Sequence, residues 1–459
     1  DWSSDVCSSD LLIYYRYIDN AVSGNGLVYN PGEYFNGLTS PLFTYLSVAV
    51  NYITNDIPAT QLVLSALFMA LACITLIVLI KQNGLPPVYA LAGAALIAAN
   101  RFLYLTFGME TMMFLFLCAL TLYLFFREDY FAMGIAAAAL YLTRGESIFL
   151  ISSLIILHFI LKRKFPSWKI FFIPVLMIAG NYLFNYFYYG EFMPNTVKAK
   201  MWQGDSGLWR SLPFLRISHY IYQDTTRFFP MSLKEILIGL YALLALAGLV
   251  SNIRKSVLLQ ALILFLVQYT AFYLVFNIPG YMWYYAPYFF AGTVFVSFGL
   301  AWVYNTLAKR LKNKAPAIVA ILIFISLFGS FFAASVELMP GDKGNTGYRK
   351  AGLWLRDNTP PQAKVACVEI GHIGWYSKRY IIDILGLVNP KNAELIGQRK
   401  FADWLLYYDP DYVFLHAPLW DHEQGITPSI KSGRFVNVQE FNIEGYTLLK
   451  KNPEWKKAE

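Results

Sequence analysis

Three short stretches interrupt otherwise apolar sequence with ionisable residues: GMET (108–111), LTRGES (142–147) and YYGEFMPNTVKAK (188–200). They carry Glu110, Arg144, Glu146, Lys198 and Lys200. An earlier stretch, YYRYIDNAVSGNGLVYNPGEYFNGLTSP (14–41), adds Arg16, Asp19 and Glu33. Ionisable side chains at the ends of apolar segments are costly unless they are paired or used. Carboxylates and cations sharing one face suit group transfer from a phosphate. A carboxylate takes the proton of an acceptor hydroxyl, and cations stabilise the departing phosphate. Glu110 and Glu146 are candidate catalytic acids, and Asp19 and Glu33 are further carboxylates for a substrate. Arg16, Arg144, Lys198 and Lys200 are candidate phosphate ligands. The plainer reading of any one cluster is a capped helix end or a charge pair locking two helices; Arg144 with Glu110 or Glu146 would be such a pair. For Lys198 and Lys200 it is a solvated loop face. YMWYYAP (281–287) adds Trp283 and Tyr284, which either stack on a sugar ring or sit in an interfacial aromatic belt.

Long apolar runs must position these residues. Of 459 residues, 57% are hydrophobic and 14% charged, where soluble domains carry about 25% charged residues. A bilayer span needs about 20 consecutive apolar residues. The runs 61–80, 87–107, 109–126, 169–189, 234–252, 257–276, 283–306 and 316–336 approach or meet that length. The run 130–161 is broken only by Arg144, Gly145 and Glu146 and reads as two shorter spans meeting in a hairpin. The sequence predicts a polytopic α-helical membrane protein of about ten spans. Its net charge of +8 reports topology, because Lys and Arg collect in alternate loops. These hold Lys81; Arg127; Lys162, Arg163 and Lys164; Arg254 and Lys255; and Lys309, Arg310, Lys312 and Lys314. The positive-inside rule places them in the cytoplasm, so the ionisable clusters all share the outer face. The count of crossings then requires 40–55 to lie on the outer surface as an interfacial helix. No nucleic-acid motif is present, and Cys7, Cys73, Cys118 and Cys367 lack disulfide or metal spacing.

Residues 12–60 thus read as a first extracytoplasmic loop with interfacial helices, 61–336 as the membrane domain, and 337–459 as a soluble extracytoplasmic α/β domain. The last carries predicted strands at 364–370, 380–385, 412–417, 435–441 and 446–451, with helices at 347–357 and 399–407. GHIGW (371–375) reads as a strand-to-helix turn, with His372 packed or exposed rather than catalytic. SGNGLVYNPGE (23–33) lacks the P-loop lysine and the dinucleotide spacing, so its glycines punctuate turns.

Taken in order, YRYIDNAVSGNGLVYNPGE and GLTSPL, GMET, LTRGES, YYGEFMPNTVKAK and the tail segment 348–387 resemble the GT-C superfamily of membrane glycosyltransferases. The branch they look most like is that of bacterial arabinofuranosyltransferase- and mannosyltransferase-like proteins. Five motifs in order are specific to the superfamily and not to a sugar. The resemblance implies a polyprenyl-phosphate sugar donor and a single inverting displacement at the outer face of the bacterial cytoplasmic membrane. The acceptor would be a cell-envelope glycan, lipid or protein, with membrane lipids around it. The resemblance also implies a base from an Asp-Asp pair just before YYRY, matched here by Ser9 and Asp10. Arg144-Gly145-Glu146 matches an Arg-Pro-Glu type of motif and keeps its cation and acid. Asn36 stands where a second acid often precedes the GLT turn, and Trp283-Tyr284 replaces an Arg-Tyr pair. Asn195, within 188–200, joins Trp283 and Tyr284 as a substrate-binding candidate. No cofactor is identified from the sequence. The carboxylates could hold a hard divalent cation, although no ligand spacing argues for one. Two other classes stay open: a lipid-linked sugar transporter or flippase, and a non-catalytic glycan-binding membrane protein. A transporter would favour paired repeats and helices broken at the bilayer midplane, and no internal repeat is visible.

The opening DWSSDVCSSD has neither the basic start nor the apolar core of a signal peptide. Running into Leu11, it resembles a translated sequencing adapter. Residues 1–11 are therefore expected to be foreign, displacing a first span and the catalytic acid pair. On that expectation Asp10 holds its position by coincidence, and the chain is a truncated enzyme.

Overall fold

The computed structural model describes residues 2–166, 168–207, 231–276, 278, 280–311, 314–336 and 347–455. Much of the expected outer loop 190–233 and the start of the tail at 337–346 lie outside these residues. The helices are α1 (Trp2–Val22), α2 (Pro41–Thr54), α3 (Ile57–Gln82), α4 (Pro87–Ala98), α5 (Arg101–Leu105), α6 (Thr111–Phe126) and α7 (Tyr130–Thr143). They continue with α8 (Ile148–Lys162), α9 (Phe172–Tyr189), α10 (Asn195–Asp205), α11 (Met231–Asn252), α12 (Val257–Val275), α13 (Ala286–Ala308) and α14 (Ala315–Val336).

Local chemistry sets several of the boundaries. The Asp56 carboxylate accepts the Ala59 N–H and caps α3 at 3.0 Å, and Asp129 does the same for α7 through the Ala132 N–H. The apolar run 87–107 is not one helix. Asn100 accepts the Leu103 N–H and starts a new short helix, splitting the run into α4 and α5. The run 130–161 folds as a hairpin, with α7 and α8 joined by a single turn at 145–147.

Helices α3, α6, α12 and α13 are apolar all round, the pattern of helices surrounded by lipid or by other apolar helices. Ile57–Gln82, Gly145–Lys162, Val257–Val275 and Met282–Ala308 are long and apolar enough to cross a bilayer. Pro87–Ala98, Thr111–Phe126, Tyr130–Thr143, Ile236–Asn252 and Ala315–Ser330 are shorter apolar helices. The chain is a polytopic α-helical membrane protein. Helix α1 carries Asp5, Asp10, Arg16 and Asp19 and is not among these apolar helices. Alternate inter-helix connections hold different charges. Glu110 stands before α6 and Arg127 after it, about 24 Å apart at the usual helical rise.

The tail folds as a five-stranded sheet: β1 (Lys364–Cys367), β2 (Tyr380–Asp383), β3 (Tyr412–His416), β4 (Phe435–Asn437) and β5 (Tyr446–Lys451). The order is β2-β1-β3-β5-β4, parallel at β2-β1-β3 and antiparallel at β3-β5-β4. Its helices are α15 (Gly347–Asn358), α16 (Ile370–Ser377), α17 (Pro390–Gly397), α18 (Trp404–Tyr408) and α19 (Thr427–Lys431). Of the expected helix 399–407 only 404–407 is helical, within α18, and α17 precedes it. Between them Arg399 takes a positive φ of 58°, which ends helical continuation.

Side-chain alternation along the strands divides the core. Val365, Cys367, Ile381, Phe414 and Leu448 face one way, with Tyr348 and Leu355 of α15. Ala366, Ile382, Val413, Leu415 and Leu449 face the other, with Trp404 and Leu405. The first face also takes in Tyr17 of α1, Tyr29 and Leu38. The sheet domain therefore shares a core with α1 and the 23–40 loop. The GHIGW segment makes this close approach possible. It forms α16, in which a Cβ on Gly371 would overlap the Ser9 backbone and one on Gly374 would overlap the Tyr29 hydroxyl.

Candidate active site

The connections before α6 and between α7 and α8 place Glu110, Arg144 and Glu146 together. Arg144 Nη1 donates to Glu110 Oε1 at 3.4 Å, and Nη2 to Glu146 Oε1 at 3.3 Å. Glu146 Oε1 also accepts the Tyr273 hydroxyl at 2.7 Å. Glu110 is 2% exposed, and its second oxygen, Oε2, has no hydrogen-bond partner among the described residues. The Arg144 guanidinium lies over the rings of Phe114 and Tyr284, 5.6 and 5.2 Å from their centroids.

Helix α10 brings in a second cation. Lys200 donates to the Tyr284 hydroxyl at 2.6 Å, and its ammonium lies 5.3 Å from the Tyr281 ring centroid and 5.8 Å from that of Trp283. The tyrosines are held in turn: Tyr269 donates to the Tyr284 carbonyl at 3.0 Å, and Tyr281 to Gln203 Oε1 at 3.2 Å. Burial lowers the pKa of Lys200 from the usual lysine range, against the pull of Asp10 and Glu146.

Two cavities meet at this lysine. A small cleft of about 40 Å³ is bordered by Asp10, Tyr14, Thr39, Glu110, Thr196, Lys200 and Trp283, with the apolar Ile13, Leu38 and Met109 between them. Leu387 and Val388 of the sheet domain close it. A groove of about 700 Å³ runs beside α7, α8 and α9 and is lined mainly by apolar side chains such as Met133, Leu142, Leu154, Phe171, Ile178 and Phe272. At one end it reaches Glu146, Lys200 and Tyr284, and further along it touches Tyr130 and His158. Thr39, Thr196 and Lys200 border both cavities, and Lys200 is the one Lys or Arg that does so among the described residues.

Asp10 lies in the stretch read as foreign, yet α1 carries it into the cleft. Burial pushes its carboxyl up to about 7, with Glu110 and Asp383 adding to the shift and Lys200 opposing it. A carboxyl at that value is partly ionised near neutrality and can take up a proton there.

The sequence candidates fall into two groups. Asp10, Glu110, Lys200 and Trp283 border the small cleft, while Glu146 and Tyr284 border the groove at its junction with that cleft. Arg144 borders neither cavity. It is buried and pairs with the two glutamates. The remaining candidates are placed elsewhere. Arg16 Nε donates to the Tyr29 carbonyl, and its Nη2 to Asn30 Oδ1 and the Arg379 carbonyl, fastening the 23–40 loop to the sheet domain. Asp19 forms a surface pair with Lys378. Glu33 accepts from Asn30 and the Tyr380 hydroxyl. Lys198 is an exposed partner of Glu191. Asn195 opens α10 with its backbone N–H on the Asn36 carbonyl, and its neighbour Thr196 is the residue that borders the cleft. Among the described residues no group of three or more metal-binding side chains is arranged to hold an ion.

Tyr269, Tyr273, Leu387 and Val388 were not singled out from sequence. Two tyrosines four residues apart inside an apolar helix were a visible signal, since they share one helix face. Leu387 and Val388 carried none.

Comparison with known proteins adds the fold. Residues 339–458 match a domain of unknown function, DUF8728. No curated protein matches the chain in sequence. Its structure is similar to the crystal structure of ArnT from Cupriavidus metallidurans bound to undecaprenyl phosphate. The TM-score is 0.58 at 10% identity, over 97% of this chain and 94% of that one. The apo state of the same protein gives a TM-score of 0.57 at 9% identity, over 96% and 92%. This is a GT-C fold. The cryo-EM structure of the arabinofuranosyltransferase AftD from Mycobacteria matches with a TM-score of 0.45 at 13% identity, over 97% of this chain and 38% of that one.

Proposed function

We propose that the chain is an inverting glycosyltransferase that moves a sugar from a polyprenyl-phosphate donor to a cell-envelope glycan, lipid or protein at the outer face of the bacterial cytoplasmic membrane. The observation carrying this reading is the meeting of two unlike cavities at Lys200. A long apolar groove beside the spanning helices suits a polyprenyl tail. A small cleft with two carboxylates suits the reacting end of a sugar and an acceptor hydroxyl. A phosphate joining tail to sugar would lie at the junction, beside the lysine. The GT-C fold and the undecaprenyl phosphate bound to ArnT support a polyprenyl-phosphate donor.

In this reading ionised Asp10 accepts the proton of the acceptor hydroxyl. The acceptor oxygen bonds to the anomeric carbon from the face opposite the phosphate. The bond from that carbon to the phosphate oxygen breaks, and polyprenyl phosphate leaves with the electron pair. Lys200 offsets the charge growing on the leaving phosphate. Glu110 borders the same cleft and orients the acceptor, and Trp283 offers a stacking surface to the sugar. Arg144 pairs with Glu110 and Glu146 and offsets their charge without contacting the donor. The loop charges support an outer location. Arg127 and Lys162 lie at the far ends of α6 and α8 from the cleft, and positive loops stay cytoplasmic. The sheet domain, on the cleft side, is then extracytoplasmic.

The test is incubation of the purified full chain with a panel of radiolabelled polyprenyl-phosphate sugars and a cell-envelope glycan. Transfer of label with inversion is expected. Absence of transfer from every donor, together with movement of labelled lipid across a vesicle membrane, would replace this reading with that of a transporter.

A further inference from the structure

The two side chains at opposite ends of the proposed displacement, Asp10 and Lys200, sit on helices that both lean on the sheet domain. Helix α1 packs on α16, where Gly371 brings the backbone against that of Ser9 and Gly374 leaves room for the Arg16 guanidinium and the Tyr29 hydroxyl. Helix α10 packs on α17, where a Cβ on Gly397 would overlap the Trp202 ring. Next along α10, Gln203 Nε2 donates to the Leu385 carbonyl at 3.3 Å, while its Oε1 accepts the Tyr281 hydroxyl. One residue therefore ties the sheet domain, α10 and the aromatic turn over Lys200 together.

The loop between β2 and α17 is fixed independently. Asp383 is fully buried, and its carboxylate accepts the Leu385 N–H at 2.8 Å and the Val388 N–H at 3.0 Å. Asn389 accepts the Asp383 N–H at 2.6 Å, and Asn392 donates to the Asp383 carbonyl at 2.7 Å. Gly386 turns at a φ of +80°, where a side chain would strike the Ala393 backbone. A loop braced at this many points holds its tip in one place. That tip is Leu387 and Val388, the wall of the cleft facing Asp10 and Glu110.

We infer that the C-terminal domain is a positioning part of the active site. It holds α1 and α10 so that Asp10 and Lys200 face one cleft, and it closes that cleft with the Asp383-braced Leu387–Val388 tip. Gly397, Trp202, Gln203 and Asp383 are its positioning residues. The inference rests on the glycosyltransferase reading of the cleft. Its structural half can be read without any activity.

The experiment uses the full chain in lipid nanodiscs, with Gly397→Val, Gly397→Val combined with Trp202→Ala, Gln203→Ala and Asp383→Asn. Two quantities are measured: amide hydrogen exchange over 195–205, and kcat and KM for whichever polyprenyl-phosphate sugar the parent chain uses best. Gly397→Val should speed exchange in 195–205 and raise the donor KM about tenfold with a smaller change in kcat. Adding Trp202→Ala makes room for the valine and should bring KM back to within about threefold. Gln203→Ala, which removes a tether without a clash, should raise KM about threefold and so keeps the test sound if the valine variant fails to fold. Asp383→Asn should leave exchange in 195–205 unchanged and alter acceptor use rather than donor KM. Unchanged exchange in 195–205 in both Gly397→Val and Gln203→Ala, or faster exchange with KM and kcat within about twofold of the parent, overturns the inference. A parent chain that transfers no sugar defeats the glycosyltransferase reading, and the exchange measurement then decides the positioning claim alone.

Discussion

Two regions of the molecule hold the same kinds of residue and were given the same chemistry from sequence. The first is the 14–41 stretch with Arg16, Asp19 and Glu33. The second is the set of helix ends with Glu110, Arg144, Glu146 and Lys200. The structure treats them differently. Arg16 is 5% exposed and spends its Nε and Nη2 protons on two carbonyls and an amide, while its guanidinium lies over the Tyr29 ring at 4.4 Å. That is a fastening. Around Arg144 the contacts are longer, at 3.3 and 3.4 Å, and Glu110 keeps one buried oxygen without a partner. A buried polar atom left unsatisfied costs free energy, and native folds keep few of them. Here it lies on a residue that borders a cleft. Arg16 Nη1 is likewise buried without a hydrogen-bond partner among the described residues, so neither charge type nor spent bonding capacity separates the two regions; what separates them is that Glu110 borders a cleft and Arg16 does not.

The sharpest way to break this comparison is at Asp10. Asp10→Asn removes the one proton acceptor of the cleft whose carboxyl lies near neutrality, and transfer should fall by about 10² to 10⁴. The pH profile follows from the direction of the shift. The carboxyl sits at about 7, above its ordinary value, chiefly because of burial. The ionised form is the active base, so transfer should be full above pH 7 and fall about tenfold per unit below it. A flat profile between pH 5 and 8 would remove Asp10 from the mechanism. Next in size is Lys200→Gln. It removes the cation at the junction of the two cavities, and the loss expected of one preorganised donor to a leaving group is about 10² to 10³ in kcat.

The two arginines give a smaller but cleaner contrast. Arg144→Ala strands the buried Glu110 carboxylate and the partly exposed Glu146 and should destabilise the fold by about 3–5 kcal/mol, with a lesser loss of transfer. Arg16→Ala should lower thermal stability as well, because the Tyr29 and Arg379 carbonyls lose their donor. The chains that remain folded should keep the parent KM for donor. Measuring melting temperature and KM on the same preparations checks both. A changed KM in the Arg16 variant would return that residue to the site.

Much of this architecture was legible, for identifiable reasons. Apolar runs and strand alternation are local signals, and all five strands lie within the predicted segments because each segment alternates residues toward two cores. The hairpin at 144–146 was readable because three polar residues interrupt a long apolar run. The split at Asn100 was harder, since a single capping residue inside an apolar stretch changes composition very little. The residues that border the candidate cavities were legible at Glu110, Glu146 and Lys200, where charge interrupts hydrophobicity. It was not legible at Leu387 and Val388, because nothing local marks two apolar residues as the wall of a cleft formed by a helix more than 350 positions earlier. The same long-range packing diverted Arg16 and Glu33. Their partners Arg379 and Tyr380 lie on the sheet domain, beyond the reach of any local pattern.

The smallest expected effect tests the comparison inside one helix. Lys198 and Lys200 are two positions apart on α10, and two positions on a helix point about 200° apart. Their environments differ accordingly. Lys198 is 60% exposed in its side chain and pairs with Glu191 at 3.3 Å, while Lys200 meets the aromatic turn at the cleft. A solvent-exposed ion pair contributes little, because water screens it and two long side chains must be held still to form it. Lys198→Ala should therefore leave kcat and KM within about twofold of the parent, and raising salt should not widen the gap. If Lys198→Ala instead matched the loss seen for Lys200→Gln, α10 would not be seated as described, and a general positive field over the loop would replace a single placed ammonium as the source of phosphate binding.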